Sequence, residues 1–124
     1  MWTYVIAFTD DLKKFMMVRS RKRGGWEMPG GGAKEGESPL ETSKREFLEE
    51  TGHELITNEN WNVPLDDGIV HFGLIGPGDR SRRSMREILD VSLFEKLPDD
   101  LAFPSVEYAP LVRHGHRLLS YHFT

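Results

Sequence analysis

Several short stretches of the chain are rich in β-branched, aromatic and other apolar residues, bounded by polar turns, and this pattern predicts strands. The first two stretches, residues 2–9 and 14–19, are separated by the polar turn Thr9-Asp10-Asp11, which predicts a hairpin. Pro64, Asp66, Asp67 and Gly68 predict a later turn, and residues 77–83 predict a polar loop. Further strands are predicted at residues 54–62, 68–76 and 87–94.

One predicted helix has clear signals at both of its ends. Ser38 is suited to the N-cap, Pro39 to the first helical position, and Glu41 completes a capping box with Ser38. Gly52 stands where a residue in the left-handed conformation commonly follows a helix. The helix should therefore run from Pro39 to Thr51.

The remaining segments complete a prediction of the fold. The glycine-rich residues 24–36 predict a loop, and residues 97–105 predict a connector. Residues 106–120 carry apolar positions that predict a closing helix, although Pro110 could mark its true start. Strands combined with two helices predict an α/β protein with a mixed sheet, and the absence of an internal repeat predicts a single domain over residues 1–124.

Composition narrows the class of protein. A chain of 124 residues with 38% hydrophobic and 29% charged residues is typical of one globular domain. The absence of cysteine excludes disulfides and thiolate metal sites. The first residues, MWTYVIAF, lack the features of a signal peptide, and no apolar run approaches the length of a membrane span. We therefore expect a cytoplasmic protein with no membrane segment.

The charges of the chain are clustered along the sequence. A net charge of −4 and a pI near 5.7 argue against a general nucleic-acid binder. Basic residues nevertheless gather at Arg19 to Arg23 and at Arg80 to Arg86, and acidic residues gather between Glu35 and Glu50. Such a division suits a protein that handles a polyanion through a metal ion, and it equally suits an ordinary solvated surface.

The predicted helix carries a compact set of acids. Glu46, Glu49 and Glu50 fall within an arc of about 100° that points away from the apolar face. Glu46 and Glu50 repel each other as an i, i+4 pair, and the last turn of a helix disfavours anions. A solvated helix with ion pairs to Arg45 is one interpretation. A hard divalent cation such as Mg²⁺, which prefers oxygen ligands, is the other.

Taken with the glycines before the helix, these acids form a longer pattern that resembles the signature of the Nudix hydrolase family, G-x5-E-x7-R-E-U-x-E-E-x-G-U, where U is a bulky aliphatic residue. The pattern covers 23 residues from Gly31 to His53, and His53 departs from it because an aliphatic residue is usual there. Phe47 is a milder departure, since it is aromatic. The matching positions are Gly31, Glu37, Arg45, Glu46, Glu49, Glu50 and Gly52.

The resemblance implies an α/β/α sandwich around a mixed sheet and metal-dependent hydrolysis of a diphosphate linkage in a nucleoside diphosphate derivative. It implies that Glu49 and Glu50 are the principal ligands of Mg²⁺, with Mn²⁺ as an alternative. Glu46 would be a further ligand or the base that activates water. Arg45 would pair with Glu37, and the carbonyl of Gly30 would be an additional ligand.

Other site residues are open at this stage. Members of the family often use one more acid, for which Glu87 is our choice, with Glu95 and Glu107 as alternatives. Arg21 and Arg23 precede the glycine-rich loop and are candidates to contact substrate phosphates. Stacking on a base is a candidate role for four aromatic residues, with Trp61 and Phe72 favoured; the four are Trp26, Trp61, Phe72 and Tyr108.

The expected substrate is a small nucleotide, either a nucleoside triphosphate or a nucleotide sugar, because the chain has little beyond a minimal fold. An RNA 5′ end is an alternative if both basic clusters line one groove. A Nudix-type domain that binds a nucleotide without cleaving it is a third possibility, although it would not need all three acids. We expect a monomer or a homodimer.

Overall fold

The structure is a computed structural model that describes residues 1–84 and 87–123. Most of the predicted apolar stretches form strands of one mixed sheet, and a helix packs on each face of that sheet. In chain order the elements are β1 Trp2–Phe8, β2 Phe15–Ser20, β3 Trp26–Glu27, β4 Gly30–Gly32, α1 Pro39–Thr51, β5 His53–Ile56, β6 Asn62–Pro64, β7 Gly68–Gly78, a 3₁₀ helix Arg80–Arg82, β8 Ile88–Phe94 and α2 Ser105–Phe123.

Strand β1 occupies the middle of the sheet. It runs parallel to β7, from Trp2 opposite Gly68 to Phe8 opposite Leu74. Its other edge pairs antiparallel with β4 and, at the far end, with β2. Strand β2 also pairs with β3 and β8, while β7 also pairs with β5 and β6. Parallel and antiparallel pairs thus coexist, as the prediction of a mixed sheet requires.

The alternation of side chains along β1 supplies the core on both faces. Val5 and Ala7 point to one face, where they pack in a cluster with Phe47 of α1. Ile6 and Phe8 point to the other face, where they pack in a cluster with Leu119 of α2. All six side chains are 0–1% exposed. The predicted α/β/α sandwich is confirmed.

Helix α1 has the predicted ends. The Ser38 hydroxyl accepts a hydrogen bond from the Glu41 amide at 3.1 Å, and the Ser38 amide donates to the Glu41 carboxylate at 3.1 Å. Gly52 has φ +81° and donates its amide to Leu48 O at 2.9 Å. A residue with a β-carbon would be strained there. These contacts fix where the acidic residues of α1 lie.

Two local predictions need correction. The predicted strand 54–62 is divided, because Asn58 accepts hydrogen bonds from the amides of Asn60 and Trp61 and turns the chain between β5 and β6. The glycine-rich loop contains β3 and β4. The predicted helix over residues 106–120 is present as α2, and Pro110 does not mark its start, because the helix continues through this residue on its exposed side.

No helix in the described part of the chain is both long enough and apolar enough to cross a bilayer.

Candidate active site

The acidic face of α1 lies directly against the glycine strand β4. The Gly30 amide donates a hydrogen bond to the Glu50 carboxylate at 2.8 Å. Gly31 has no side chain, and the Glu46 carboxylate occupies the space that a β-carbon would need. Gly30 is equally restricted, because a β-carbon there would overlap the Thr3 carbonyl of β1. The glycines therefore allow two carboxylates and a backbone strand to come within contact distance.

Arg45 connects the acids of the site. Its guanidinium binds Glu37 through two contacts, with Nε to Oε2 at 2.7 Å and Nη2 to Oε1 at 3.0 Å. Nη1 donates to Glu46 at 2.9 Å and to Glu49 at 3.2 Å. Nη2 also donates to the Gly32 carbonyl at 3.1 Å. One arginine thus joins three carboxylates and the glycine strand, and it includes the pair with Glu37 that the resemblance implied.

The two sides of this network differ in electrostatics. The Arg45 hydrogen bonds and the Lys34 amide lower the pKa of Glu37 to about 2, and the same pairing raises the pKa of Arg45. Burial raises the pKa of Glu46, although Arg45 opposes that shift. Burial also raises the pKa of Glu50 to about 8, with the neighbouring carboxylates adding to it. Negative charge is therefore crowded and poorly solvated around Glu46 and Glu50.

A cleft with a volume of about 320 Å³ opens above these carboxylates. Glu46, Glu50 and β4 form one side of it. Glu87 lines the cleft as well, whereas Glu95 and Glu107 line other cavities. The structure therefore brings together Glu87, our choice for the additional acid, and the acids of α1. Arg21 and Arg23, the candidates for phosphate contacts, also line the cleft.

Sequence reasoning did not select Glu27, which is a further acid of the cleft. Its side chain is buried, and Arg23 binds it through Nε at 2.7 Å and Nη2 at 2.6 Å. Its charge contributes to the raised pKa of Glu50. The sequence signal for this acid was its position between the apolar residues Trp26 and Met28, shortly before the glycine strand.

The aromatic candidates for stacking are not at the cleft. Phe72 is 0% and Trp61 is 7% exposed, and both belong to the core on the α2 side of the sheet. Trp26 packs edge-to-face on Phe94 at 5.0 Å and receives the Arg19 guanidinium at 5.3 Å. Trp26, Trp61 and Phe72 line neither the cleft nor the two cavities that adjoin it, so the structure gives no support to their predicted stacking roles.

The two basic clusters of the sequence do not share one groove within the described residues. The first cluster contributes Arg21 and Arg23 to the cleft. In the second cluster, Arg80 pairs with Asp90, and neither Arg82 nor Arg83 lines the cleft. Arg86, which belongs to the second cluster, lies outside the described residues.

The donor atoms of the site suit a hard divalent cation. Glu46, Glu49 and Glu50 offer carboxylate oxygens, which Mg²⁺ and Mn²⁺ prefer, and poorly solvated negative charge favours a cation. No group of three His, Asp or Glu side chains converges as a ready-made metal site in the part of the chain that is described. Arg45 binds Glu46 and Glu49 through one carboxylate oxygen each, and the Gly30 amide binds one oxygen of Glu50, so the second oxygen of each carboxylate is the one suited to a cation.

The chain is similar to known proteins both in a family model and in its fold. A family model described as the NUDIX domain matches residues 2–109. A hydrolase of the NUDIX family from Clostridium perfringens has a TM-score of 0.72 at 16% identity, covering 95% of this chain and 96% of that chain. A NUDIX hydrolase from Nitrosomonas europaea has a TM-score of 0.69 at 21% identity, covering 91% and 86%. An ADP-ribose pyrophosphatase from Streptococcus suis has a TM-score of 0.65 at 20% identity, covering 91% and 89%. Comparison with curated protein sequences gives no significant match.

Replacing Glu37 by Gln should reduce stability in a pH-dependent way. The folded-state pKa of Glu37, about 2, lies below its ordinary value of 4.5. The pairing therefore stabilises the fold fully above pH 4.5 and is lost as the pH falls towards 2. Urea unfolding between pH 3 and 7 should show a lower free energy of unfolding for Glu37→Gln at neutral pH and a shallower decline towards low pH. The exposed neighbour Glu35, changed to Gln, is the control, and parallel curves for Glu37→Gln and the wild type would contradict the prediction.

Proposed function

The chain belongs to the Nudix hydrolase family, and we propose that it hydrolyses a diphosphate linkage in a small nucleotide with the help of Mg²⁺ or Mn²⁺. The observation that carries this proposal is the contact between the Gly30–Gly32 strand and the acids Glu46 and Glu50. That contact places crowded carboxylates at the wall of a cleft that arginines also line. Carboxylates for a cation and arginines for phosphates are the groups that this chemistry needs.

We assign Glu46, Glu49 and Glu50 as the ligands of the cation, with the Gly30 carbonyl and Glu87 as additional ligands. When bound, a divalent cation lowers the pKa of water and neutralises phosphate charge. The side chains of the chain itself have separate tasks. The alternative role for Glu46 is that of the base that accepts a proton from water, since its carboxylate lines the cleft.

Arg45 and the cleft arginines position the reacting groups. Arg45 holds the carboxylates of Glu46 and Glu49 next to each other. Arg21 and Arg23 also line the cleft, where guanidinium groups can hold phosphate oxygens through charge-assisted hydrogen bonds. Arg23 is already oriented by its two contacts with the buried Glu27. Positioning and charge stabilisation supply most of the rate enhancement in phosphoryl chemistry.

A groove beyond the cleft supports a nucleoside as the remaining part of the substrate. A cavity of about 140 Å³ shares Arg23 and Gly30 with the cleft and continues to Phe103 and Tyr108. A third cavity, of about 540 Å³, shares these two aromatic residues, which lie edge-to-face at 6.4 Å. Aromatic side chains bind the flat face of a base well. Of the four aromatic candidates in the sequence, Tyr108 is the one that lines this groove.

The same groove bears on the choice among substrates. Its far end is acidic, with Asp66, Asp67 and Glu107, which can accept hydrogen bonds from ribose hydroxyls or base amino groups but would repel a further phosphate. This distribution favours a small nucleotide over an RNA 5′ end, whose chain of phosphates would need a basic path. A domain that only binds nucleotide would not need Glu46, Glu49 and Glu50 together. We place the activity in the cytoplasm, in a monomer or homodimer.

Replacing Glu50 by Gln should lower cation-dependent hydrolysis by at least about 100-fold, because the change removes a charged ligand from the site. The measurement is release of phosphate, pyrophosphate or nucleoside monophosphate with Mg²⁺ or Mn²⁺. The panel contains nucleoside triphosphates, ADP-ribose, nucleotide sugars, dinucleoside polyphosphates and capped RNA. Glu54, exposed on β5 outside the cleft, is changed to Gln as the matched control. Equal turnover by wild type and Glu50→Gln would refute the assignment of Glu50.

Adding one methyl group at Gly31 should impair activity without unfolding the protein. The three atoms that the β-carbon of Gly31→Ala would approach most closely all belong to the carboxyl group of Glu46, so this side-chain end must move while the backbone stays in place. A displaced group near the reaction typically costs about 10- to 100-fold in kcat. The control is Gly32→Ala, whose β-carbon would meet the Trp2 ring at an ordinary 3.4 Å. Thermal unfolding should be similar for both variants, and full activity of Gly31→Ala would show that the position of Glu46 is unimportant.

A further inference from the structure

Another cavity, separate from the cleft and from the groove and larger than the cleft, lies at the end of β1 that is far from the cleft. Its volume is about 820 Å³, and it is bounded by the turn between β1 and β2, the segment after β8, and α2. Strand β1 begins at the cleft with Trp2 and ends at this cavity with Phe8. The two places are six residue steps apart along the strand, which is roughly 20 Å. This cavity is therefore outside the candidate active site.

Cationic side chains from three parts of the chain surround this cavity. None of them lies within ion-pair distance of a carboxylate among residues 1–84 and 87–123. All four are exposed and therefore accessible to a ligand. The four cations are Lys13, Lys96, Arg113 and Arg117.

The carboxylates at the cavity do not balance these cations. Asp11 and Glu95 are the acids that line it. Asp11 Oδ1 already accepts hydrogen bonds from the Thr9 hydroxyl at 2.6 Å and from the Lys13 amide at 3.0 Å. Four positive charges against two negative charges leave a local charge of +2, on a chain whose net charge is −4. The positive charge is thus concentrated here against the average of the molecule.

The helix and the turn hold this charge in place at a cost. Arg113 and Arg117 are an i, i+4 pair on one face of α2, where like charges repel. In the turn, Leu12 has φ +61°, a conformation that branched residues rarely adopt. Its amide bonds to Thr9 O at 2.8 Å and its side chain packs on the core, so the turn presents Lys13 at the cavity. Strain of this kind persists where the surrounding structure enforces it, and it is concentrated at functional positions.

We propose that this cavity is a second binding site, separate from the cleft, for a small compound that carries several phosphate charges. Guanidinium and ammonium groups bind phosphate oxygens through charge-assisted hydrogen bonds. The size of the cavity is in the range of small-molecule sites, and its inner wall is formed by the apolar side chains of Phe8, Phe15 and Val112. A multiply charged anion would also relieve the repulsion between Arg113 and Arg117. The proposal does not depend on the hydrolase activity.

The test uses inorganic tripolyphosphate as the probe, with EDTA present so that no divalent cation loads the cleft. Calorimetry gives the affinity, and ¹⁵N NMR titration locates the site. The double variant Arg113→Gln/Arg117→Gln should weaken binding at least tenfold. The control Lys44→Gln/Arg82→Gln removes the same charge at exposed positions away from the cavity and should leave the affinity unchanged. Amide shifts should be centred on residues 11–13, 95–96 and 112–117.

Several results would overturn the proposal. They are unchanged affinity in the double variant, equal weakening in the control, or shifts centred on residues 20–32 of the cleft. Tighter binding of a single-stranded RNA than of tripolyphosphate would replace the proposed ligand with nucleic acid. If the double variant does not fold, Lys13→Gln/Lys96→Gln tests the same cavity from the opposite rim, with the same expected loss.

Discussion

Three carboxylates on one and a half turns of a helix repel each other, and Arg45 offsets this repulsion for two of them, Glu46 and Glu49, by binding both. The guanidinium joins Glu46 and Glu49 to Glu37 and also binds the Gly32 carbonyl. It thereby fixes α1 against β4 at the point where the cleft opens. Glu50 has no contact with Arg45 among the described residues, and burial raises its pKa to about 8 despite the hydrogen bond from the Gly30 amide. Arg45 therefore partly neutralises Glu46 and Glu49, whereas the neutralisation of Glu50 depends more on an added cation.

The rest of the fold serves to keep that contact in place. Val5 and Ala7 of β1 pack with Phe47, so α1 is anchored one residue from its key acid. The antiparallel pairing of β1 with β4 then carries the glycines to the same helix face. The capping box and Gly52 set the ends of α1, which determines the rotation at which its acids face the cleft. Substitutions in the core on the α1 side of the sheet should therefore alter the positions of the carboxylates.

Local signals were sufficient to predict part of this arrangement. The bounds of α1 follow from Ser38, Glu41 and Gly52, since capping depends on neighbours in sequence. The resemblance to the Nudix signature implied the pairing of Arg45 with Glu37. The position of Glu87 beside the helix acids was selected from its place where a polar loop meets a strand, and its role as a ligand stays a proposal.

Features that depend on distant parts of the chain were not predictable in the same way. Phe72 and Trp61 have the composition expected of a stacking residue, but the pairing of β6 with β7 and the packing of α2 enclose them in the core. Glu27 is an acid of the cleft because the fold brings the end of β3 close to Glu46 and Glu50 of α1. The groove with Phe103 and Tyr108 joins residues about 75 to 105 positions from the β1 and β4 residues that it contacts. Sequence periodicity carries no information on which distant residues come close together in the fold.

The most direct test of the account is anomalous diffraction at the manganese edge from crystals grown with Mn²⁺. The account predicts a peak at roughly 2.0–2.6 Å from carboxylate oxygens of Glu46, Glu49 and Glu50. A saturating concentration of Mn²⁺ that gives no peak at these carboxylates would contradict it.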